Sequence, residues 1–533
     1  MNTRRALRQA LVALVVLNLL LSFGNAWPTL WPRPEARLSI DLAAVVLGLS
    51  LLSLHGPLRR ATVVWTSAVL ATCVLLHYLN VTVPAVLGRR LDLYWDGQHA
   101  WEVLKMGAAS PSAMKFVGVA VIVALAIAAL YRLIRRGVAT LAESLQSARL
   151  RIGLVAASSA VLGAGLLAPQ GLPALQHAFA PSVGTLVAEQ ARLLHRAHDA
   201  SDDERLLGAS PAFDGTLGAL AGADVVIVFA EAYGAVTLDN PDLSSALAAS
   251  RQRLADAVDA SGRRVLSARL VSPTFGGGSW LAHAELLSGL DMRDPNDYRL
   301  LLTTQRPTLV SHFAAHGYRT VGWMPGIQRP WPEGRFYGFD RIADADGIGY
   351  RGSLFGYWRI PDQASIAQLQ AQELGPQRDD ARRPRLVVFP TVSTHAPFRP
   401  LAPYVTDWSA VLGADAYDSP DAVSARQVPA SWDDPVPAYL SAVRYQFDWL
   451  AGWLSAHAPA DAVVIVVGDH QPMGTVTGPG ADWDVPMHVI TGNAVVLDRL
   501  AGLGFQPGLE PDRPALGRMA SITSRLVEVF AGE

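Results

Sequence analysis

AVVIVVGDH, residues 462–470, is the stretch on which the fold of the C-terminal part turns. Its apolar run is continuous rather than alternating, the pattern of a parallel strand covered on both faces. VVIVF at 225–229, RTVGW at 319–323 and RLVVF at 385–389 have the same character. Helical periodicity fills the intervals, at 244–259, 307–316 and 437–456. Strands alternating with helices predict an α/β domain, 219–533, with a mostly parallel central sheet covered by helices on both faces. Ligands collect at the carboxyl ends of the strands in such sheets, so the residues after each run are read first.

Three strand ends carry reactive side chains. VVIVF leads through Ala230 to Glu231, and AVVIVV leads through Gly468 to Asp469 and His470. RLVVF leads into PTVSTHAPF, with Thr391, Thr394 and His395. A carboxylate, an aspartate and an imidazole suit Mn, Zn or Mg. Each has an ordinary reading too: Glu231 as a helix cap, Asp469 as a turn residue, His395 as a core histidine. Gathered at one end of one sheet, they predict a site for one divalent metal.

PTFGGGSWLAHAELLSGL, 273–290, supplies a nucleophile. Gly276, Gly277 and Gly278 allow close backbone approach or positive φ. Ser279 then opens an apolar helix through Leu281, Leu286 and Leu287, whose N-terminus suits an anionic phosphate or sulfate. A metal-bound serine oxygen ionises near neutral pH and attacks. The competing reading makes Ser279 only an N-cap; beside the metal candidates, the nucleophile is preferred. His488, in VPMHVI, reads as a core strand histidine. Asp239-Asn240 and Asp291 to Asp294 read as polar turns, and Arg382, Arg383 and Arg385 as a solvated basic run.

Working outward, the first third of the chain is different. Half of the 533 residues are hydrophobic and only 17% are charged, with a mean hydropathy of +0.23. The apolar excess lies in five stretches, about 9–26, 39–55, 61–84, 115–131 and 152–168, each near the roughly 17–25 residues that cross a bilayer. They predict a transmembrane bundle over 1–168, followed by a linker with a helix through Leu186, Gln190, Leu193 and Leu194 over 169–218. The solvated cluster Asp202, Asp203, Glu204 follows that helix. The basic flank Arg4, Arg5 and Arg8 fits either a signal peptide or an anchor, and Trp27 and Trp31 favour the anchor. Arg59, Arg60, Arg132, Arg135, Arg136, Arg149 and Arg151 fall on the same side as that flank if there are five spans, which places the C-terminal domain outside the cytoplasm. Arg33, Arg37, Arg89, Arg90, Lys105 and Lys115 stay on the other side. The segment 88–114, with Tyr94, Trp95, Asp96 and Trp101, reads as a surface loop with interfacial aromatics, or as a platform for a lipid substrate. The net charge of −2 gives no sign of a nucleic-acid partner. The lone Cys73 excludes an intrachain disulfide and a cysteine-built metal site.

The order Glu231, Ser279, His395, Asp469-His470 resembles the alkaline phosphatase/sulfatase superfamily. The multi-span anchor makes it similar to the lipoteichoic acid synthase and phosphoethanolamine transferase branch. The resemblance implies Glu231, Ser279, Asp469 and His470 as the metal set and Ser279, in place of the branch's usual Thr, as nucleophile. It further implies His395 as a ligand of the substrate phosphate, with Trp331 and Arg335 ahead of FYGFD at 336–340 as substrate-binding residues. SWLAHAELLSG keeps the sulfatase register, with His283 in the Arg place, but Leu281 and Ala282 replace the Pro and Ser of the formylglycine signal. An unmodified serine is therefore expected. The expected function is a metal-dependent envelope phosphotransferase in a bacterial inner membrane, its domain periplasmic or extracellular. It would move a phospholipid headgroup phosphate to a glycan or lipid acceptor through a covalent Ser279 intermediate, with His283 as acid or base. A sulfatase or phosphodiesterase of an envelope ester, and a non-catalytic lipid-sensing regulator, are the alternatives.

Overall fold

A computed structural model of the chain describes residues 3–27, 29–98, 113–167, 177–198, 204–375, 382–429, 432 and 434–532. Trp101, Lys105, Asp202 and Asp203 lie outside them. The chain divides into two compact units, Met1–Val86 with Arg90–Asp199, and Leu87–Arg89 with Ala200–Glu533.

The first unit is helical. Its main helices are α1 (Thr3–Ser22), α2 (Ile40–Leu52), α3 (Arg60–Leu87), α4 (Ala113–Ser144), α5 (Ala148–Leu167) and α6 (Val183–His198). Four of them, α1, α3, α4 and α5, are long and apolar enough to cross a membrane; α2, continued by a 3₁₀ turn to His55, is apolar but shorter. Leu17, Val46, Leu70 and Val138 pack in the interior. Val117, Val121, Ile122 and Leu125 are exposed, a surface that suits lipid and not water. This is a multi-pass membrane protein. Arg132, Arg135 and Arg136, expected between the fourth and fifth apolar stretches, belong to the C-terminal part of α4 itself. At 1.5 Å per residue α4 spans about 48 Å, more than the hydrocarbon core, so its basic end lies beyond the apolar layer. Residues 93–98, read as part of a loop, are helical. Asp92 Oδ1 accepts from the Tyr94 and Trp95 N–H groups at their start. The linker helix is present as α6, with Asp41 accepting from Ser182 Oγ and the Val183 and Gly184 N–H groups at its N-terminus.

The second unit is built on an eight-stranded sheet. Its strands are β1 (Val225–Ala230), β2 (Arg264–Val271), β3 (Arg319–Trp323), β4 (Arg341–Ala343), β5 (Arg385–Pro390), β6 (Val463–Gly468), β7 (Asp484–Thr491) and β8 (Gln506–Pro507). The order is β8-β2-β7-β6-β1-β5-β3-β4. The run β6-β1-β5-β3-β4 is parallel, and β7, β2 and β8 extend it with antiparallel pairs. β2 had no signal in the sequence, because Ser267 and Arg269 interrupt its apolar residues.

All of β1 is buried, and its alternate residues serve two cores. Val225, Ile227 and Phe229 face α8 (Ser279–Ser288), α9 (Leu309–Ala315) and the C-terminal helices. Val226, Val228 and Ala230 face α7 (Pro241–Ala260) and α10 (Val436–Ala456). A strand covered on both faces needs apolar residues at every position, which is why VVIVF and AVVIVV do not alternate. Asn240 and Asp294, read as turns, cap the helices that follow them. The basic run 382–385 is not simply solvated. Arg385 is buried beside Glu373, and Arg382 pairs with the buried Asp224.

Candidate active site and metal centre

Glu231 and Asp469 are brought together by strand register. Ala230 is paired with Gly468 across β1 and β6, so the next residue of each strand emerges beside the other. Gly468 is required here: a Cβ would lie 1.9 Å from the Tyr233 carbonyl oxygen. β5, on the other side of β1, delivers Thr391, whose hydroxyl accepts from the Glu231 N–H at 3.0 Å.

Glu231, Asp469 and His470 are all buried, and one ligand atom from each lies within 4.8 Å of the others. Asp469 Oδ1 accepts from the backbone N–H groups of Ala232 at 2.8 Å and His470 at 2.7 Å. Asp469 Oδ2 is buried without a hydrogen-bond partner among the described residues. His470 Nδ1 lies 2.7 Å from the Gln471 carbonyl oxygen. That contact makes Nδ1 the donor and turns Nε2 towards Glu231, 3.4 Å from Oε1. Two carboxylates, an imidazole turned inward by a backbone carbonyl, and one orphaned carboxylate oxygen fit a divalent metal.

Ser279 is the first residue of α8, and the N-cap is Gly278, with φ +81° and no side-chain capping bond. The capping role is thus taken by a glycine in the left-handed region, and the serine hydroxyl is free for other work. It donates to Glu231 Oε2 at 2.8 Å and lies 3.2 Å from His470 Nε2. The glycine loop and the histidine are tied through one atom: the Gln471 carbonyl oxygen also accepts from Gly276 N–H at 3.0 Å. Sequence reasoning missed Gln471, and no signal pointed to it, since a backbone carbonyl belongs to every residue type.

Burial pushes the Glu231 carboxyl up, but the His395 charge and the His470 hydrogen bond outweigh it and hold it well below the usual carboxylate range. Burial and the Glu231 charge raise Asp469. Burial alone would lower His470; Asp469 and Glu231 reverse this and lift it to about 9. A ligating imidazole must be neutral, so a metal held by His470 would have to displace its proton. Metal affinity of the purified protein is expected to weaken progressively as pH falls below about 9. A chelator-competition titration that gives a flat affinity between about pH 9 and about pH 6 would contradict this.

The other expected residues are distributed unevenly. His283 lies beside the cluster, with Nε2 3.8 Å from Asp469 Oδ2. His395 sits near enough for its charge to act on Glu231. Its ring packs on Trp358 at 4.2 Å between centroids, and its Nδ1 lies 2.7 Å from the Ala396 carbonyl oxygen. Trp331 stacks on Tyr337 and Arg335 is exposed; among the described residues no hydrogen bond or ion pair joins either to the cluster. His488 is the buried strand histidine expected, held by Ser267 Oγ at 2.6 Å and Tyr233 OH at 3.1 Å.

No protein-family model matches the chain, and no curated protein is similar to it in sequence. Solved structures are similar to it at a distance. The lipoteichoic acid synthase LtaP from Listeria monocytogenes is 15% identical, with 55% of this chain and 71% of that one covered and a TM-score of 0.34. The phosphoglycerol transferase GacH from Streptococcus pyogenes, solved with sn-glycerol-1-phosphate, is 11% identical over 58% and 75%, with a TM-score of 0.35. The C-terminal periplasmic domain of EcEptC from Escherichia coli is 13% identical over 53% and 73%, with a TM-score of 0.32. These likenesses are distant, and the chemistry of the site follows from its own residues.

Proposed function

We propose that the protein is a metal-dependent phosphotransferase of the bacterial envelope. In this reading it moves the headgroup phosphate of a membrane phospholipid to a glycan or lipid acceptor. The observation that carries the reading is the position of the Ser279 hydroxyl. It stands at a helix N-terminus, hydrogen-bonded to Glu231 and beside His470. A serine that served only the fold would have no reason to face a buried carboxylate and imidazole.

The metal, Mn, Zn or Mg, is held in this reading by Glu231, Ser279, Asp469 and His470; when bound it supplies positive charge that lowers the pKa of the serine and neutralises phosphoryl oxygens. Ser279 Oγ, its proton released to water, attacks the phosphorus of the phosphodiester. A bond forms from Oγ to phosphorus, the bond from phosphorus to the diacylglycerol oxygen breaks, and that oxygen leaves with a proton. The free N–H groups at the start of α8 face the phosphoryl oxygens, and His395 binds the same charge. An acceptor hydroxyl then attacks phosphorus, the Ser279 Oγ–phosphorus bond breaks, and Oγ regains a proton, with His283 at hand as acid or base. Trp331 and Arg335 are assigned to the substrate in this reading, on the family resemblance.

The helices of the first unit support a lipid donor, since donor and enzyme then share one surface. With α2 to His55 counted as a crossing, about 24 Å long and accommodated by local thinning, the number of spans is odd. The catalytic domain then lies outside an inner membrane, periplasmic or extracellular.

Intact-mass analysis tests the reading. After incubation with mixed bacterial phospholipids and Mn, the wild type should gain one headgroup-phosphate mass, and that mass identifies the donor. Metal-bound protein without any adduct, releasing phosphate or sulfate from a soluble ester, would replace the transferase with a hydrolase. Protein with neither adduct nor metal would point to a lipid-sensing regulator.

A further inference from the structure

We infer that Tyr439 is a positioning residue of the metal centre: its hydroxyl holds Ala232 in a left-handed backbone conformation, from which the Ala232 N–H fixes Asp469. The inference rests on the metal-dependent reading above.

Ala232 directly follows Glu231 and has φ +51°. A residue with a Cβ adopts this region only at a cost, and such strain persists where the surroundings over-determine it. Glu231 and Ala232 are the central pair of a turn that the Tyr233 N–H closes on the Ala230 carbonyl oxygen at 3.2 Å. Where such a turn needs positive φ, glycine or asparagine is the usual residue; this chain has alanine.

Both ends of that alanine are held. Its N–H donates to Asp469 Oδ1 at 2.8 Å, and its carbonyl oxygen accepts from the Tyr439 hydroxyl at 2.9 Å. Tyr439 is fully buried on α10. Its ring meets Phe398 edge to face, with centroids 5.2 Å apart, and the Phe398 N–H donates to the His395 carbonyl oxygen at 2.8 Å. One tyrosine thus touches both the turn that carries Glu231 and the turn that follows His395. The turn fixes the chain on either side of Ala232, so a change of φ there rotates the peptide that carries its N–H away from Asp469. Oδ1 would then keep only the His470 N–H. Oδ2, buried without a hydrogen-bond partner among the described residues, would lose its fixed direction. A tyrosine that merely satisfies its own buried hydroxyl is the competing account.

Co²⁺ binding to the full chain in detergent, with a chromophoric chelator as competitor, separates the two. Tyr439→Phe removes one oxygen and keeps the ring against Phe398. It should weaken Co²⁺ binding about tenfold, the lower end of what loss of an outer-shell partner costs. Adding Ala232→Gly to that variant should bring the affinity back to within about twofold of wild type, because glycine takes positive φ without help from the hydroxyl. Thermal midpoints of the metal-free proteins show which variants are folded. If Tyr439→Phe is not, Ala232→Val carries the test: it disfavours positive φ with Tyr439 intact and should weaken binding by about tenfold or more. Wild-type affinity in the folded Tyr439→Phe or Ala232→Val variant would overturn the inference. A loss in Tyr439→Phe that Ala232→Gly does not restore would also overturn it, leaving Tyr439 to packing alone. A wild type that binds no Co²⁺ would overturn the metal-dependent reading as well.

Discussion

Ser279→Ala is expected to abolish headgroup transfer, lowering turnover by on the order of 10⁴-fold or more, and to leave no phosphorylated protein. The Ser279 hydroxyl lies within 3.2 Å of both the Glu231 carboxylate and the His470 ring, and alanine offers no nucleophile in its place. The fold should survive, because Gly278 and not Ser279 holds the capping position of α8. Ser279→Thr presents the same oxygen with one added methyl group and should keep measurable activity with an adduct. Time-resolved diacylglycerol release alongside intact mass gives both readouts. Transfer that persists in the alanine variant would remove Ser279 from the chemistry and require a direct displacement by the acceptor.

The strands that carry this site were legible because parallel strands covered on both faces leave uninterrupted apolar runs. Glu231 and Asp469-His470 stand directly after two such runs, and a sheet rule alone was enough to bring them together. β2 escaped because Ser267 and Arg269 break its pattern. Their partners, the Gly508 carbonyl for Ser267 and Asp239 for Arg269, are remote in sequence. Trp331 and Arg335 came from resemblance and not from periodicity, and among the described residues no hydrogen bond or ion pair ties them to the cluster. The position of His283 against Asp469 was beyond reach as well, since it depends on how α8 packs across the end of β1.

Glu285→Ala should give a large loss of stability in the second unit. Glu285 is fully buried on α8. Its carboxylate accepts from Met292 N–H at 2.9 Å and Ala520 N–H at 3.0 Å. It also lies 3.5 Å from the Arg518 guanidinium. Burial raises its pKa, against the hydrogen bonds and Arg518. Truncation strands two backbone donors and leaves Arg518 to Asp291 alone, at a cost of about 2–5 kcal/mol. In a domain of this size that lowers the thermal midpoint by on the order of 10 °C. Glu285→Gln keeps one acceptor but turns an NH₂ group towards a donor, so an intermediate loss is expected. Differential scanning fluorimetry in detergent reads the series. A midpoint for the alanine variant within about 1 °C of wild type would mean that this carboxylate does not brace the helix. Ser279 begins that same helix, so activity should fall with stability in both variants.

The pairing of Ala230 with Gly468 has a wider consequence. The gap between the two carboxylates is the spacing of neighbouring β-strands, a constant of polypeptide geometry, and not something a loop must find. The dimensions of the centre are therefore insulated from change in connections outside the sheet, such as 344–360 and 399–429. In the proposed transferase those segments can lengthen, shorten or exchange residues while the reacting centre keeps its gauge. A graft of such a segment from another protein should alter what is transferred before it alters whether transfer occurs.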